Sequence, residues 1–384
     1  GVFWASHKTI FGNRAIESLP AEAKKLGAGK VLVVTDEGLV RAGLVEPVAQ
    51  SLQAEGLAVT IFDKVPPEPP ARVVDECADM ARREGCDLVV GFGGGSPLDA
   101  AKAAAFLIKN PGSVLDYAGQ DQVPEKGAPI IMVPTTAGTG SEASRVLVFT
   151  DEANNTKNVV YSDHILAEVA ILDPGLTLSM PQAVTADSGI DALVHAVEAF
   201  VSVHTTPYAE ILALQAIGMI AANLPRAYCK GGDLEARYNM LLAANLAGAA
   251  FTSGGLGAVH GLAYVLGTEY HMAHGLSNAI MLPHVMQYSL YGNLPKFARI
   301  AEAMGEPIAG LSPYEAAAKA VEAVQALLKM LDISANLVDH GIEPQDVPKL
   351  VEGGLAQSRL FNFSPRDLTA KDLERIYTSA FQTA

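Results

Sequence analysis

Cysteine and basic residues are scarce in this chain. Its three cysteines form no Cys-x-x-Cys pair, which excludes a redox or zinc motif of that kind and indicates a reduced, cytoplasmic protein. Lysine and arginine number 27 against 42 acidic residues, and no basic block interrupts the net charge of −15. Nucleic acid is therefore not an expected partner.

Targeting and membrane segments are not expected either. The first residues lack a basic segment followed by an apolar one, so no secretory signal is predicted. The most apolar helical stretch, residues 209–224, is interrupted by Glu210 and Gln215. We therefore expect no segment of membrane-spanning length.

The length of 384 residues predicts two globular domains. Apolar runs at residues 31–35, 59–62, 88–92 and 129–133 predict buried strands, and residues 15–26, 45–55, 73–84 and 98–108 predict helices between them. Long helical segments follow, as at 209–223 and 234–249. We predict an α/β dinucleotide-binding domain with a parallel sheet at 1–180, an all-helical domain at 181–384, and a ligand cleft between them.

A glycine-rich run directly follows the third predicted strand and consists of Gly93, Gly94 and Gly95. We expect Ser96 to be the N-cap of the next helix, Pro97 its first residue and Asp99 a capping-box partner. The free amides at such a helix start suit a pyrophosphate. The alternative is a capped loop that binds no ligand.

A second loop, PTTAGTGSE at residues 134–142, follows the fourth predicted strand in the same way. Two such loops at adjacent strand ends fit a dinucleotide, although this loop alone would be an ordinary turn. The cofactor contacts expected from it are Thr135, Thr136, Thr139 and Ser141.

Asp36 closes the first predicted strand. A carboxylate at this position accepts hydrogen bonds from ribose hydroxyls and repels a 2′-phosphate, which favours NAD over NADP. The alternative is that Asp36 only caps a helix.

The second half carries an acidic and histidine-rich set. Asp191 and His195 are four apart in a helical segment, so they share one helix face. His260, His271 and His274 fall within fifteen residues. One carboxylate with two or three imidazoles suits Fe(II), Zn(II), Co(II) or Mn(II). The alternative is that these histidines cap helices or fill the core.

Together these motifs resemble the iron-containing (group III metal-dependent) alcohol dehydrogenase family along the whole chain. The resemblance lies in GGGSPLDAAK (93–102), PTTAGTGSE (134–142), AILDP (170–174), GIDALVHAVE (189–198) and VHG…AHG (259–275). It implies a dehydroquinate-synthase-like fold, in which an α/β dinucleotide-binding domain precedes a helical domain. The metal ligands that it implies are Asp191, His195, His260 and His274.

The resemblance also implies the reaction. It is hydride transfer between a primary alcohol and NAD, in either direction, with a divalent metal for which Fe(II) is the first choice. Lys157 resembles the family's lysine near the cofactor, and Phe251 aligns with an aromatic residue of the substrate pocket. Family members commonly form homo-oligomers.

Pocket-lining residues are further expected just after the second loop, at Ser144 and Val146. Arg145 between them would anchor a substrate carboxylate if it faced the pocket. Strand alternation instead turns it towards the surface, and we favour that orientation.

One position departs from the family pattern. Many members carry a histidine four residues after the third ligand, and it is often assigned to proton relay. Here that residue is Tyr264. The candidates for the relay are Tyr264, His271 or a water chain.

Three alternative functions stay open. A hydroxy-acid or semialdehyde dehydrogenase of the same fold would use Arg145 or Lys157 as a carboxylate anchor. A dehydroquinate-synthase-like or glycerol-phosphate-type enzyme would need a basic cluster near the metal, and the motifs around His260 and His274 offer none. A scaffold protein with a relict site would have no reason to keep four intact ligands.

Overall fold

The computed structural model describes residues 1–382, and the chain divides into two compact units. One unit is Trp4–Ser179, and the other combines Gly1–Phe3 with the residues from Met180 onward. The boundary expected from the sequence falls one residue later, after residue 180.

Nine strands form two sheets among residues 4–179. They are β1 (Lys8–Phe11), β2 (Lys30–Val34), β3 (Ala58–Phe62), β4 (Leu88–Gly93), β5 (Gly119–Gln120), β6 (Ile130–Pro134), β7 (Val146–Asp151), β8 (Thr156–Tyr161) and β9 (Val169–Leu172). Six of them form a parallel sheet in the order β1-β9-β6-β4-β2-β3. The four predicted strands are its members β2, β3, β4 and β6, so the predicted parallel sheet is confirmed.

Helices cover both faces of this sheet. The helices of the unit are α1 (Leu19–Lys25), α2 (Glu37–Arg41), α3 (Val45–Ala54), α4 (Ala71–Glu84) and α5 (Gly95–Leu107). Val31 and Val33 of β2 pack in one apolar cluster with α1 and α3. Leu32 and Val34 pack in the other with α4 and α5. This alternation is what a strand buried on both faces produces.

The second sheet was not predicted from the sequence. Its strands are ordered β5-β8-β7, with β7 and β8 antiparallel. Side chains of β7 alternate between buried and half-buried, the pattern of a strand with one face on the core. This hairpin matters for the site because it begins at Val146 and carries Lys157.

The unit that contains the residues from Met180 onward is helical, and no strand occurs in its described part. Its helices are α6 (Gln182–Val201), α7 (Pro207–Cys229), α8 (Leu234–Gly254), α9 (Ala258–Tyr270), α10 (His274–Ser289), α11 (Leu294–Ala303), α12 (Pro313–Met330), α13 (Val347–Leu355) and α14 (Ala370–Ser379). The predicted all-helical second domain is confirmed. α6, α7 and α8 pack on one another, and α10 packs on both α6 and α9.

One helix corrects the expectation about membrane length. By length and composition alone, α7 is long and apolar enough to cross a membrane. Helices α8 and α9 meet the same criteria only when they are counted together as one span, and they are bent by 108° relative to each other. α7 instead packs against α6 and α8 and buries Ile217 and Ile220. Part of its apolar surface therefore belongs to the core of the helical unit.

Candidate metal centre and nucleotide site

Four side chains with metal-binding atoms converge in the helical unit. Asp191 and His195 lie one turn apart on α6, His260 lies in the first turn of α9, and His274 is the first residue of α10. One ligand atom from each lies within 4.8 Å of the others. The structure therefore brings together the four residues that the sequence analysis singled out as ligands.

The spacing of these atoms suits one small cation. Asp191 Oδ1 lies 3.7 Å from Nε2 of His195, 4.0 Å from Nε2 of His260 and 3.4 Å from Nε2 of His274. Metal–ligand bonds of about 2.1 Å in a tetrahedral site place neighbouring ligand atoms roughly 3.4 Å apart. The four donors thus fit a single divalent ion.

The set is buried except at one member. His274 keeps 35% of its side chain exposed, whereas the other three ligands are buried. Burial raises the pKa of Asp191, but the three imidazoles and a neighbouring amide outweigh it, so this pKa lies below its usual value. Asp191 is therefore a carboxylate at neutral pH, the form that binds metals.

Asn278 belongs to this cluster and was missed by the sequence analysis. Its Nδ2 lies 2.8 Å from Asp191 Oδ1, 3.3 Å from His260 Nε2 and 3.2 Å from His274 Nε2. An amide NH2 has two hydrogens and only donates, so besides its bond to Asp191 it can donate to one of the two imidazoles, whose Nε2 then carries the lone pair. The available signal was spacing, because Asn278 follows His274 by four residues on one helix face.

Aromatic rings flank the ligands. The Phe251 ring lies beside His195, with centroids 4.7 Å apart, and the Tyr264 ring lies 6.1 Å from that of His274. His271 is an exposed residue at the C-cap of α9, with a φ of 55°. Of the two side chains expected in the proton relay, Tyr264 is the one whose ring lies beside a ligand.

The two glycine-rich loops lie side by side in the α/β unit. They follow β4 and β6, which are parallel neighbours. The Thr135 N–H donates to the Gly93 carbonyl at 2.9 Å. A Cβ on Gly95 would lie 2.7 Å from Cγ2 of Thr139, and one on Gly94 would lie 3.5 Å from Cγ2 of Thr136. Glycine at position 95 therefore permits the close approach of the second loop.

These loops lie at the edge of the sheet where nucleotides bind in such folds. β3 lies on one side of β2 and β4 on the other, so the strand order reverses between β2 and β4. Ligands of open α/β sheets bind outside the carboxyl ends of the strands at such a point. The helix start of α5, directly after β4, supplies free backbone amides there.

The capping pattern predicted for α5 is wrong. The helix begins at Gly95, two residues before Pro97, and its N-cap is Gly94 without a side-chain hydrogen bond. The hydroxyl of Ser96 instead accepts the backbone N–H of Glu68 at 3.2 Å. The flexible glycines let the helix start immediately after the strand, so no side-chain cap is needed.

Two charged residues of α5 hold the second loop, which is why Asp99 is not a capping residue: Lys102 is fully buried, and the Asp99 side chain is 15% exposed. Burial lowers the pKa of Lys102 to about 8 and raises the pKa of Asp99. The Asp99 carboxylate accepts hydrogen bonds from Ser141 Oγ (2.6 Å) and Val148 N (3.0 Å), and Lys102 Nζ donates to Ser144 Oγ (3.1 Å) and the Val146 carbonyl (2.7 Å). The hydroxyls of Ser141 and Ser144 therefore tie α5 to the loop and β7.

Two other residues expected at the cofactor have protein partners. The ammonium of Lys157 pairs with Glu68, whose backbone N–H donates to Ser96 in the first loop. Asp36 Oδ1 accepts the Leu39 N–H at 3.0 Å and caps α2. The capping alternative for Asp36 is thus present, and its binding of ribose stays a prediction.

The expectation that Arg145 faces the surface is wrong. Its side chain is 8% exposed and pairs with Asp121 and, at 2.8 Å, with Asp163. Its guanidinium also lies 4.6 Å from the ring centroid of Trp4. β7 begins only at Val146, so strand alternation does not apply to Arg145. Two carboxylates already satisfy this cation, which argues against its use as a substrate anchor.

An open parallel sheet with two glycine-rich loops after its neighbouring strands β4 and β6, and a helical unit with an Asp/His₃ cluster, are typical of a metal-dependent dehydrogenase. The family comparison agrees: residues 6–174 match the model of the iron-containing alcohol dehydrogenases, and residues 185–381 match the C-terminal model of the Fe-containing alcohol dehydrogenase family. The chain belongs to the iron-containing alcohol dehydrogenase family. The resemblance seen in its motifs is thereby confirmed, and the protein is a metal-dependent alcohol dehydrogenase.

Known proteins resemble the chain over nearly its full length. Long-chain-alcohol dehydrogenase 1 of Geobacillus thermodenitrificans is 43% identical over 96% of this chain and 93% of its own length. The NAD-dependent methanol dehydrogenase of Bacillus methanolicus is 37% identical over 98% of this chain and 99% of its own. A crystal structure of 1,3-propanediol oxidoreductase superposes with a TM-score of 0.96 at 40% identity and covers 99% of both chains.

Proposed function

We propose that this alcohol dehydrogenase interconverts a primary alcohol and its aldehyde with NAD(H) at a divalent metal ion. The observation that carries the proposal is the convergence of one carboxylate and three imidazoles within 4.8 Å. The mixed nitrogen and oxygen donors suit Fe(II) first, with Zn(II), Mn(II) and Co(II) as further candidates. The residues that would hold the ion are Asp191, His195, His260 and His274.

A bound divalent ion would act as a Lewis acid on the substrate oxygen. The residues around it then have separate tasks. Asn278 holds the Asp191 carboxylate through a 2.8 Å hydrogen bond. Phe251 supplies an apolar wall beside His195. Tyr264, whose ring lies beside His274, is our first candidate for moving the hydroxyl proton, and His271 is the second.

NAD is the cofactor in this proposal. The amides of residues 93–95 at the start of α5 would receive the pyrophosphate, and the second loop would border it through Thr135, Thr136, Thr139 and Ser141. Asp36 follows β2 at the point where the strand order reverses, which favours NAD over NADP. The NAD-dependent methanol dehydrogenase among the relatives supports the same choice.

The relatives favour a primary alcohol as the substrate. They include a long-chain-alcohol dehydrogenase, a methanol dehydrogenase and a 1,3-propanediol oxidoreductase. The hydroxy-acid alternative needs a free cation for the substrate carboxylate. Arg145 is paired with Asp121 and Asp163, and Lys157 is paired with Glu68. These ion pairs argue against a hydroxy acid as the substrate.

The proposal includes a cytoplasmic homo-oligomer. All three cysteines are unbridged, and Cys77 and Cys86 are buried thiols, which fits a reducing compartment. Strand β1 is an edge of the main sheet and ends in the exposed Phe11, which offers one surface for self-association. Light scattering coupled to gel filtration measures the assembly directly.

The first test is metal reconstitution. The chain is stripped with a chelator, and NADH-dependent reduction of short aldehydes is measured after addition of Fe(II), Zn(II), Mn(II) or buffer. We expect one metal to restore turnover, and His260→Ala to lower it by on the order of a hundredfold or more. His340→Ala is the matched control, because that imidazole lies outside the metal-ligand cluster and hydrogen-bonds to the Ser334 carbonyl. Intact NADH binding without turnover under any metal would contradict the proposal.

A further inference from the structure

Glu198 lies on α6, two turns after Asp191 and behind the ligand His260. Its Oε1 accepts the backbone N–H of Val259 at 2.6 Å, and its Oε2 lies 2.6 Å from His260 Nδ1. The side chain is 5% exposed. Both carboxylate oxygens therefore contact the first turn of α9, and the side chain is buried in the helical unit.

The contact with Nδ1 decides which nitrogen of His260 can bind a metal. An ionised carboxylate only accepts hydrogen bonds, so the ring proton of His260 lies on Nδ1. The other nitrogen, Nε2, then keeps its lone pair, and it is this atom that lies 4.0 Å from Asp191 Oδ1. A carboxylate on the far nitrogen also makes the imidazole a stronger ligand.

The contact with Val259 fixes the helix that carries His260. α9 has Gly257 as its N-cap, and no side chain of α9 caps it. Glu198 supplies that acceptor from another helix. A Cβ on Gly257 would lie 3.3 Å from Glu198 Oε1, so glycine leaves room for the carboxylate.

Charge gives a further reason for a carboxylate at this position. Burying a carboxylate whose hydrogen-bond partners are an imidazole and a backbone amide is costly unless a cation lies near. Asp191 is the single carboxylate among the four candidate ligands. A divalent ion bound to them would therefore keep one positive charge uncompensated. The carboxylate of Glu198 balances that charge, so the free-energy cost of burying this carboxylate is offset when the ion is bound.

We propose that Glu198 is a positioning residue of the metal centre, which sets the ring proton of His260 on Nδ1 and thereby strengthens metal binding. This inference rests on the proposed function. It concerns affinity for the ion and does not require that Glu198 touch substrate or cofactor.

The decisive variant is Glu198→Gln, which keeps the size but has only one acceptor oxygen. Its amide nitrogen must face either Val259 N–H or His260 Nδ1, and in the second case the ring proton moves to Nε2 and blocks the ligand atom. The binding of Co(II) and Zn(II) to metal-free full-length protein is measured by competition with a chromophoric chelator. We expect affinity to fall about ten- to a hundredfold, with NADH affinity unchanged.

Asp173→Asn is the matched control. Asp173 is a buried carboxylate of the α/β unit that accepts the backbone N–H groups of Ile16 and Gly175 at 3.1 and 2.9 Å. The control should change stability and leave metal affinity within twofold. Equal metal affinity in Glu198→Gln and wild type would overturn the inference.

A second measurement decides the matter even if Glu198→Gln does not fold. The ¹⁵N shifts of the His260 ring in the metal-free wild-type protein report the position of the proton. A proton on Nδ1 supports the inference, and a proton on Nε2 overturns it. Failure of the wild-type protein to bind any metal would count against the proposed function, whereas these shifts would still test the role of Glu198.

Discussion

At the scale of single residues, Tyr264 stands where the family resemblance of the motifs leads us to expect a histidine. It lies one turn after His260 on α9, and its ring lies beside His274. A phenol with a pKa of about 10 is a weaker proton acceptor at neutral pH than an imidazole with a pKa of about 6.5. The identity of residue 264 should therefore appear in the pH dependence of turnover.

We predict that Tyr264→Phe lowers kcat by about ten- to a hundredfold at neutral pH, because general acid–base catalysis is lost. Tyr264→His should restore turnover and introduce an apparent pKa near ~6.5 into the profile of kcat against pH. Steady-state kinetics of the metal-loaded enzyme from pH 6 to 10 provides the measurement. If Tyr264→Phe is as fast as wild type while His271→Ala is slow, the relay runs through His271.

At the scale of elements, helix α5 connects the two glycine-rich loops. It begins directly after β4, and its residues Asp99 and Lys102 reach the second loop and β7. A buried lysine disfavours its own charged form, and this lowers the pKa of Lys102 from 10.5 to about 8. The connection between these elements therefore depends on pH.

The sign of this dependence follows from proton binding. Between about pH 8 and 10.5, Lys102 is neutral in the folded state and protonated in the unfolded state, so the free energy of unfolding rises with pH. We predict that wild type gains about 1 kcal/mol per pH unit relative to Lys102→Met between pH 8 and 10. Urea unfolding at each pH measures the difference. The exposed Lys109→Met is the control, and an equal slope in wild type and Lys102→Met would refute the prediction.

A second element-scale feature lies in the helical unit. A Cβ on Gly275 would lie 2.3 Å from the backbone carbonyl oxygen of Asp187 on α6. Glycine next to His274, a member of the metal-ligand cluster proposed above, therefore lets the start of α10 approach α6 closely. The close approach of the two helix backbones places His274 of α10 beside Asp191 of α6.

At the scale of the whole molecule, the two candidate sites lie in separate units. The metal-ligand cluster lies in the helical unit, and the glycine-rich loops lie in Trp4–Ser179. Each ligand should therefore protect a distinct set of backbone amides from hydrogen exchange.

We predict that Zn(II), added to metal-free protein, slows exchange in α6, α9 and α10, because it ties these helices together. NAD added alone should slow exchange at the start of α5 and in the loop after β6. Hydrogen exchange with mass spectrometry measures both effects. His260→Ala should lose the response to Zn(II) and keep the response to NAD; protection by Zn(II) confined to residues 4–179 would contradict the assignment.

The sequence by itself determined the features that depend on local spacing. Four strands of the main sheet and six helices (α1, α3, α4, α5, α7 and α8) followed from apolar periodicity, although β3 is an edge strand with only Phe62 buried. The pairing of Asp191 with His195 on one face followed from a four-residue spacing. These patterns are local because the geometry of a helix or strand repeats within a few residues.

Only the tertiary structure decided which partners the buried polar groups find. Asp99 bonds to Ser141, 42 residues away, instead of capping its own helix, and Glu198 reaches His260, 62 residues away. Asn278 joins Asp191 across 87 residues. A buried polar group must be hydrogen-bonded wherever a partner lies, and the fold decides which distant groups are brought within reach.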